Sequence, residues 1–162
     1  MMQNEYDVVV INVVDGDTVD VDIDLGFGIT LRDERVRIMG IDTEESRTSD
    51  KVEDLFGETA KTRVKELMKD GAKLITTEDK SGEDMKGKFG RILGDFRVYD
   101  STNDRWSKVT DILVEEGHAV AYFGGSKEEI AMKHMANREK LLREGIVDRA
   151  DYDKAVQLME NK

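Results

Sequence analysis

The chain has 162 residues and 38% apolar content, room for one ordinary domain with its own core. It has no cysteine and only two histidines, His118 and His134, which excludes disulfides and thiolate metal sites and argues against a multi-histidine zinc site. Net charge is −11, unpromising for a polyanion partner, but residues 1–50 alone hold 13 acidic against 4 basic side chains.

Any metal must therefore be held by oxygen, which points to a hard cation, calcium or magnesium. No apolar run approaches the length of a membrane-spanning helix. The stretch Met1 to Asp7 lacks the basic start and apolar core of a secretory signal, so the chain reads as cytoplasmic.

With no proline, glycine and Asx residues have to make the turns. Val8 to Val14 is a valine-rich run that predicts a buried strand. Asp15-Gly16-Asp17 is a tight turn. Val19, Val21, Ile23 and Leu25 then alternate with Asp20, Asp22 and Asp24, the period of a strand with one wet face. Gly26-Phe27-Gly28 turns into a third strand, Ile29 to Met39.

Asp50 and Glu53 have capping-box spacing ahead of a helical stripe that includes Leu55, Phe56, Ala60, Val64 and Leu67, and Gly71 ends it. Ala72 to Thr77 predicts a fourth strand and Arg91 to Tyr99 a fifth, separated by a polar loop. Short helices are expected around Val109 to Leu113, from Ser126 through Leu142, and around Tyr152 to Met159. The fold class this order predicts is α+β with a mainly β core. It is a five-stranded OB-type barrel with a helix after strand three and further helices at the C-terminus. Residues 1–145 are expected to form the domain and 146–162 a helical extension.

Four segments carry chemistry: Asp17 at the turn, Arg35 and Arg37 on one face of strand three, Asp42-Thr43-Glu44-Glu45 after it, and Arg91 opening strand five. Phosphodiester hydrolysis needs such an inventory. Carboxylates hold a cation, guanidinium groups bind phosphoryl oxygens bidentately, and a further carboxylate activates water. Each segment alone has an ordinary structural explanation, as a turn, a solvated face or a helix cap. Their order on these elements is what carries weight.

These residues resemble the staphylococcal nuclease family over about residues 8 to 143. Its signature runs Asp-Gly-Asp-Thr, then Arg, then Asp-Thr-Pro-Glu, and later Tyr-Gly-Arg. The chain shows Asp15-Gly16-Asp17-Thr18, Arg37, Asp42-Thr43-Glu44-Glu45 and Phe89-Gly90-Arg91. The resemblance implies that Asp17, Asp42 and the Thr43 carbonyl ligate Ca2+, with Glu45 as general base. Arg37 and Arg91 would then bind the scissile phosphate, with Arg35, Lys88 and Tyr122 as substrate contacts. It implies a calcium-dependent monomeric nuclease for single-stranded or frayed DNA or RNA.

The chain departs from the signature at Glu44, in place of proline, and at Phe89, in place of tyrosine. The competing expectations are a non-catalytic module binding nucleic acid or protein, and a calcium-stabilised structural domain. Retention of Asp17, Arg37, Asp42, Glu45 and Arg91 favours the enzyme. His134 is expected at the core edge, His118 is expected to satisfy helix-end carbonyls, and Trp106 is expected to pack at a helix start.

Overall fold

The computed structural model describes residues 3–78, 81, 84–87 and 90–161. The chain opens with three antiparallel strands, β1 (Gln3–Asp15), β2 (Thr18–Gly26) and β3 (Ile29–Ile38), followed by the short β4 (Ile41–Thr43). Helix α1 (Lys51–Met68) leads into β5 (Ala72–Thr77), β6 (Ile92–Asp100) and β7 (Arg105–Lys108). Helix α2 (Val109–Glu116), β8 (Ala119–Ala121), α3 (Lys127–Arg143) and α4 (Arg149–Glu160) complete it.

The sheet order is β3-β2-β1-β5-β6-β7, and β3 also pairs in parallel with β6 at Val36 to Ile38. That pairing closes five strands into a ring, the expected OB-type barrel, with β7 appended beyond it. The alternation in β2 has its predicted result at Val19, Val21 and Ile23, buried inside the ring with Val36, Ile38, Leu74, Phe96 and Val98. Leu25, however, is exposed. Strand β1, expected to be buried, turns Val9 and Ile11 to solvent because only one of its faces meets the core. Val64 and Leu67 of α1 and Ile112 and Leu113 of α2 plug this core. Among the described residues no helix is long and apolar enough to cross a membrane.

Three short strands were not expected: β4, β7 and β8. Trp106 accordingly differs from expectation. It lies on β7, opposite Tyr99 of β6, with ring centroids 5.7 Å apart, rather than at a helix start. Its neighbours Ser107 and Lys108 prolong the β6 hairpin before the helix begins. A second small cluster, Phe56, Leu141 and Val147, gathers where α1, α3 and the C-terminal segment meet. Tyr152 of α4 packs edge-on to Phe56, with ring centroids 6.2 Å apart.

Candidate functional site

Two loops meet on α1. The first is the turn between β1 and β2, where Gly16 lies so close that a Cβ would be 2.9 Å from that of Ala60 and 3.2 Å from the Thr43 methyl. The second is the segment after β4. A Cβ on Gly57 would lie 2.3 Å from the Glu45 carbonyl oxygen and 2.6 Å from the Ser46 nitrogen. Gly57 and Ala60 are three residues apart on one helical face, so both loops seat on the same small-residue patch.

Hydrogen bonds fix this arrangement. Asp50 caps α1 by accepting from the backbone N–H of Val52 and of Glu53. Glu53 does not close the capping box back on Asp50; its Oε1 accepts the Glu45 N–H at 3.3 Å. Asp54 accepts the Arg47 N–H at 2.6 Å. The first turn of α1 thus holds the acidic loop by its backbone, and Arg47 takes a left-handed φ of 58° there. Ser46 donates its hydroxyl to Asp15, tying the two loops side chain to side chain.

The β2–β3 register sets the arginines, with Thr18 opposite Arg37 and Asp20 opposite Arg35. Arg37 lies 3.4 Å from Asp17 and donates to the backbone carbonyls of Ile38 and of Ile41, the latter at 3.1 Å. Arg35 makes a forked pair with Asp20, at 2.8 and 3.2 Å. Arg35 and Arg91 line one cleft of about 560 Å³ with Asp15, Thr18, Glu34 and Arg47. Arg47 also lies 3.7 Å from Asp15.

Glu45 titrates above the ordinary carboxylate range. Burial is the first cause, and the charges of Asp15, Asp17, Glu53 and Asp42 add to it. The sequence-derived acids Asp17, Asp42 and Glu45 therefore share one electrostatic neighbourhood. Tyr122 lines a different cavity, of about 780 Å³, together with Met39, Gly40, Asp95 and the exposed Phe123. Lys88 and Phe89 lie outside the described residues.

Sequence reasoning missed the role of α3. His134 Nε2 is 2.7 Å from Asp42 Oδ2, so this histidine binds the acidic loop rather than simply edging the core. Arg138, one turn further on, grips Glu44 by Nε at 3.0 Å from each carboxylate oxygen and by a second bond through Nη2. The extra charge introduced at Glu44 is thereby neutralised. These partners are 92 and 94 residues apart, and no local pattern announces them. His118 also departs from expectation. Its backbone N–H, not its ring, caps the Leu113 carbonyl, and its Nδ1 is buried without a partner among the described residues.

As a donor set for calcium, the carboxylates of Asp17 and Asp42 and the Thr43 carbonyl have the right hard-oxygen chemistry. Asp42 remains 41% exposed while one oxygen faces His134, as a ligating carboxylate with an outer partner would be. Among the described residues no three of His, Cys, Asp or Glu form a ready-made metal group.

A family model described as staphylococcal nuclease homologue matches residues 35–147, well over half of the chain. The match takes in Arg35, Arg37, Asp42, Thr43, Glu45, Arg91 and Tyr122, and begins after Asp17. No curated protein matches the chain.

Proposed function

Because the chain belongs to the staphylococcal nuclease homologue family, we propose that it is a calcium-dependent nuclease that hydrolyses phosphodiester bonds of single-stranded DNA or RNA. The observation that carries this reading is the convergence on one α1 patch of the Asp17 turn, paired with Arg37, and the loop bearing Asp42 and Glu45.

In this reading Arg37 and Arg91 bind the phosphate and hold the charge that builds on its oxygens. Arg35, paired with Asp20, contacts the neighbouring backbone of the nucleic acid. Glu45 takes the proton of a water whose oxygen attacks phosphorus, while the bond to the leaving oxygen breaks. The raised affinity of Glu45 for a proton suits a base. Asp17, Asp42 and the Thr43 carbonyl would hold calcium, which when bound adds positive charge beside the phosphate. Tyr122 offers a ring for a base from its separate cavity.

The engagement of Arg37 by Asp17 and by the Ile38 and Ile41 carbonyls favours a second reading, a domain that binds nucleic acid or protein without cleaving. One experiment separates them. Single-stranded DNA and RNA are incubated with the protein in calcium or in chelator, alongside Arg37→Ala and Glu45→Ala. Cleavage that needs calcium and is lost in both variants supports the nuclease. Equal background in every sample supports the binding module.

A further inference from the structure

We propose that α3 positions the Asp42–Glu45 loop, with His134 and Arg138 as the positioning residues. The inference rests on the nuclease reading and deepens it. Residues 134 and 138 are four apart on one helical face, and they engage Asp42 and Glu44, alternate residues of the loop. The Glu44 and Arg138 side chains are only 11% and 16% exposed. Behind the fork, the Arg138 guanidinium lies 5.3 Å from the ring centroid of Phe56 on α1, which fixes its plane.

The direction of Glu44 matters because of its neighbours. Glu44 points to α3, while the backbone of Glu45, the next residue, is held from α1 by the Glu53 carboxylate and the close approach of Gly57. The segment is thus gripped from α3 at one residue and from α1 at the next, so anchoring Glu44 limits how far Glu45 can turn. A one-ångström error at a base or phosphate-binding group costs about a hundredfold in rate.

Apolar packing holds the helix mainly at its C-terminal end, where Leu141 and Leu142 join the Phe56 cluster. Leu141 is its one buried residue among those described. Asn137 donates to the Ala119 carbonyl on β8, and Ala119 pairs with Thr43 on β4. Apart from Lys140, which donates to the Glu115 carbonyl on α2, these polar contacts of the helix fall on the β4–β8 pair and the residue that follows β4. A helix docked for stability alone would bury an apolar stripe. This one grips a loop.

The test uses the full chain, with Arg138→Gln, Arg138→Lys, and the exchange Glu44→Arg with Arg138→Glu. Each variant is followed by kcat and KM on a single-stranded oligonucleotide, by calorimetric titration with CaCl2 without substrate, and by thermal melting. The expected result for Arg138→Gln is a 10- to 100-fold fall in kcat and weaker calcium binding on the same scale, with KM within about threefold. Arg138→Lys should be intermediate, since it keeps the charge and loses the fork. The exchange should regain most of the lost rate.

Lower melting temperature with kcat and calcium affinity within twofold of the parent would overturn the inference and leave the nuclease reading standing. A parent protein that neither binds calcium nor cleaves would remove both. Should Arg138→Gln fail to fold, the lysine variant and the exchange decide the matter by the same two readouts.

Discussion

Gly57 touches the backbone of Glu45 so closely that a methyl group there would sit 2.3 Å from the carbonyl oxygen. The acidic loop can rest on α1 only because residue 57 has no side chain. The seating of the proposed base depends on that contact together with the hydrogen bonds that Glu53 and Asp54 accept.

Gly57→Ala should therefore behave unlike an ordinary glycine-to-alanine change in a helix. Helix propensity alone would stabilise by up to about 1 kcal/mol. The clash is with backbone, which cannot swing aside, so the net expectation is a loss of about 1–3 kcal/mol. Denaturant unfolding measures it. A variant as stable as the parent would show that the loop lifts off the helix without penalty.

Glu45→Gln should separate stability from activity. Burial first, and then the charges of Asp15, Asp17, Glu53 and Asp42, oppose the ionised form of Glu45 and raise its pKa. The amide removes that charge, so thermal stability at neutral pH should rise in chelator. Cleavage should fall by about two to four orders of magnitude if the carboxylate takes the proton. A variant that is less stable and fully active would contradict both expectations.

His118 should leave a mark on the acid side of the stability profile. Burial lowers its pKa, while the nearby charges of Glu116, Arg63, Glu66 and Lys140 act in both directions. A base whose folded value lies below its ordinary one contributes stability above the ordinary histidine range. That contribution is lost as pH falls through the folded value, with a limiting slope of about 1.4 kcal/mol per pH unit. The difference in unfolding free energy between the parent and His118→Leu should shrink in that window and stay level above it. A difference that does not vary with pH would show that the ring is not buried neutral.

The barrel was legible because its strands declare themselves locally. Val19, Val21 and Ile23 alternate with aspartates, and Asp15-Gly16-Asp17 can only turn. Strands β4, β7 and β8 were not legible, since three or four residues carry no usable period; Trp106 was misplaced for that reason. In the candidate site, the residues that could be read were those with a chemical type at a fixed spacing, such as Arg37 and Asp42. Those that could not were tertiary partners. Gly57 reads locally as a weak helix position, Glu53 as half of a capping box, and Arg138 as one more charge on a polar helix. Their significance lies in what crosses the chain to meet them.

Substrate binding should depend on calcium more than on long-range attraction. With a net charge of −11, the protein as a whole repels a polyanion, and at 0.1 M salt that field decays over about 10 Å. Affinity must then come from a few guanidinium contacts and from the metal. Three arginines, Arg35, Arg37 and Arg91, would give a slope of log affinity against log salt of about −2 on single strands. Fluorescence anisotropy with a labelled oligonucleotide can measure this slope in calcium and in chelator, using Glu45→Gln to suppress cleavage. Tight binding that chelator leaves unchanged, or a slope steeper than about −4, would mean that a basic surface away from these three arginines holds the nucleic acid.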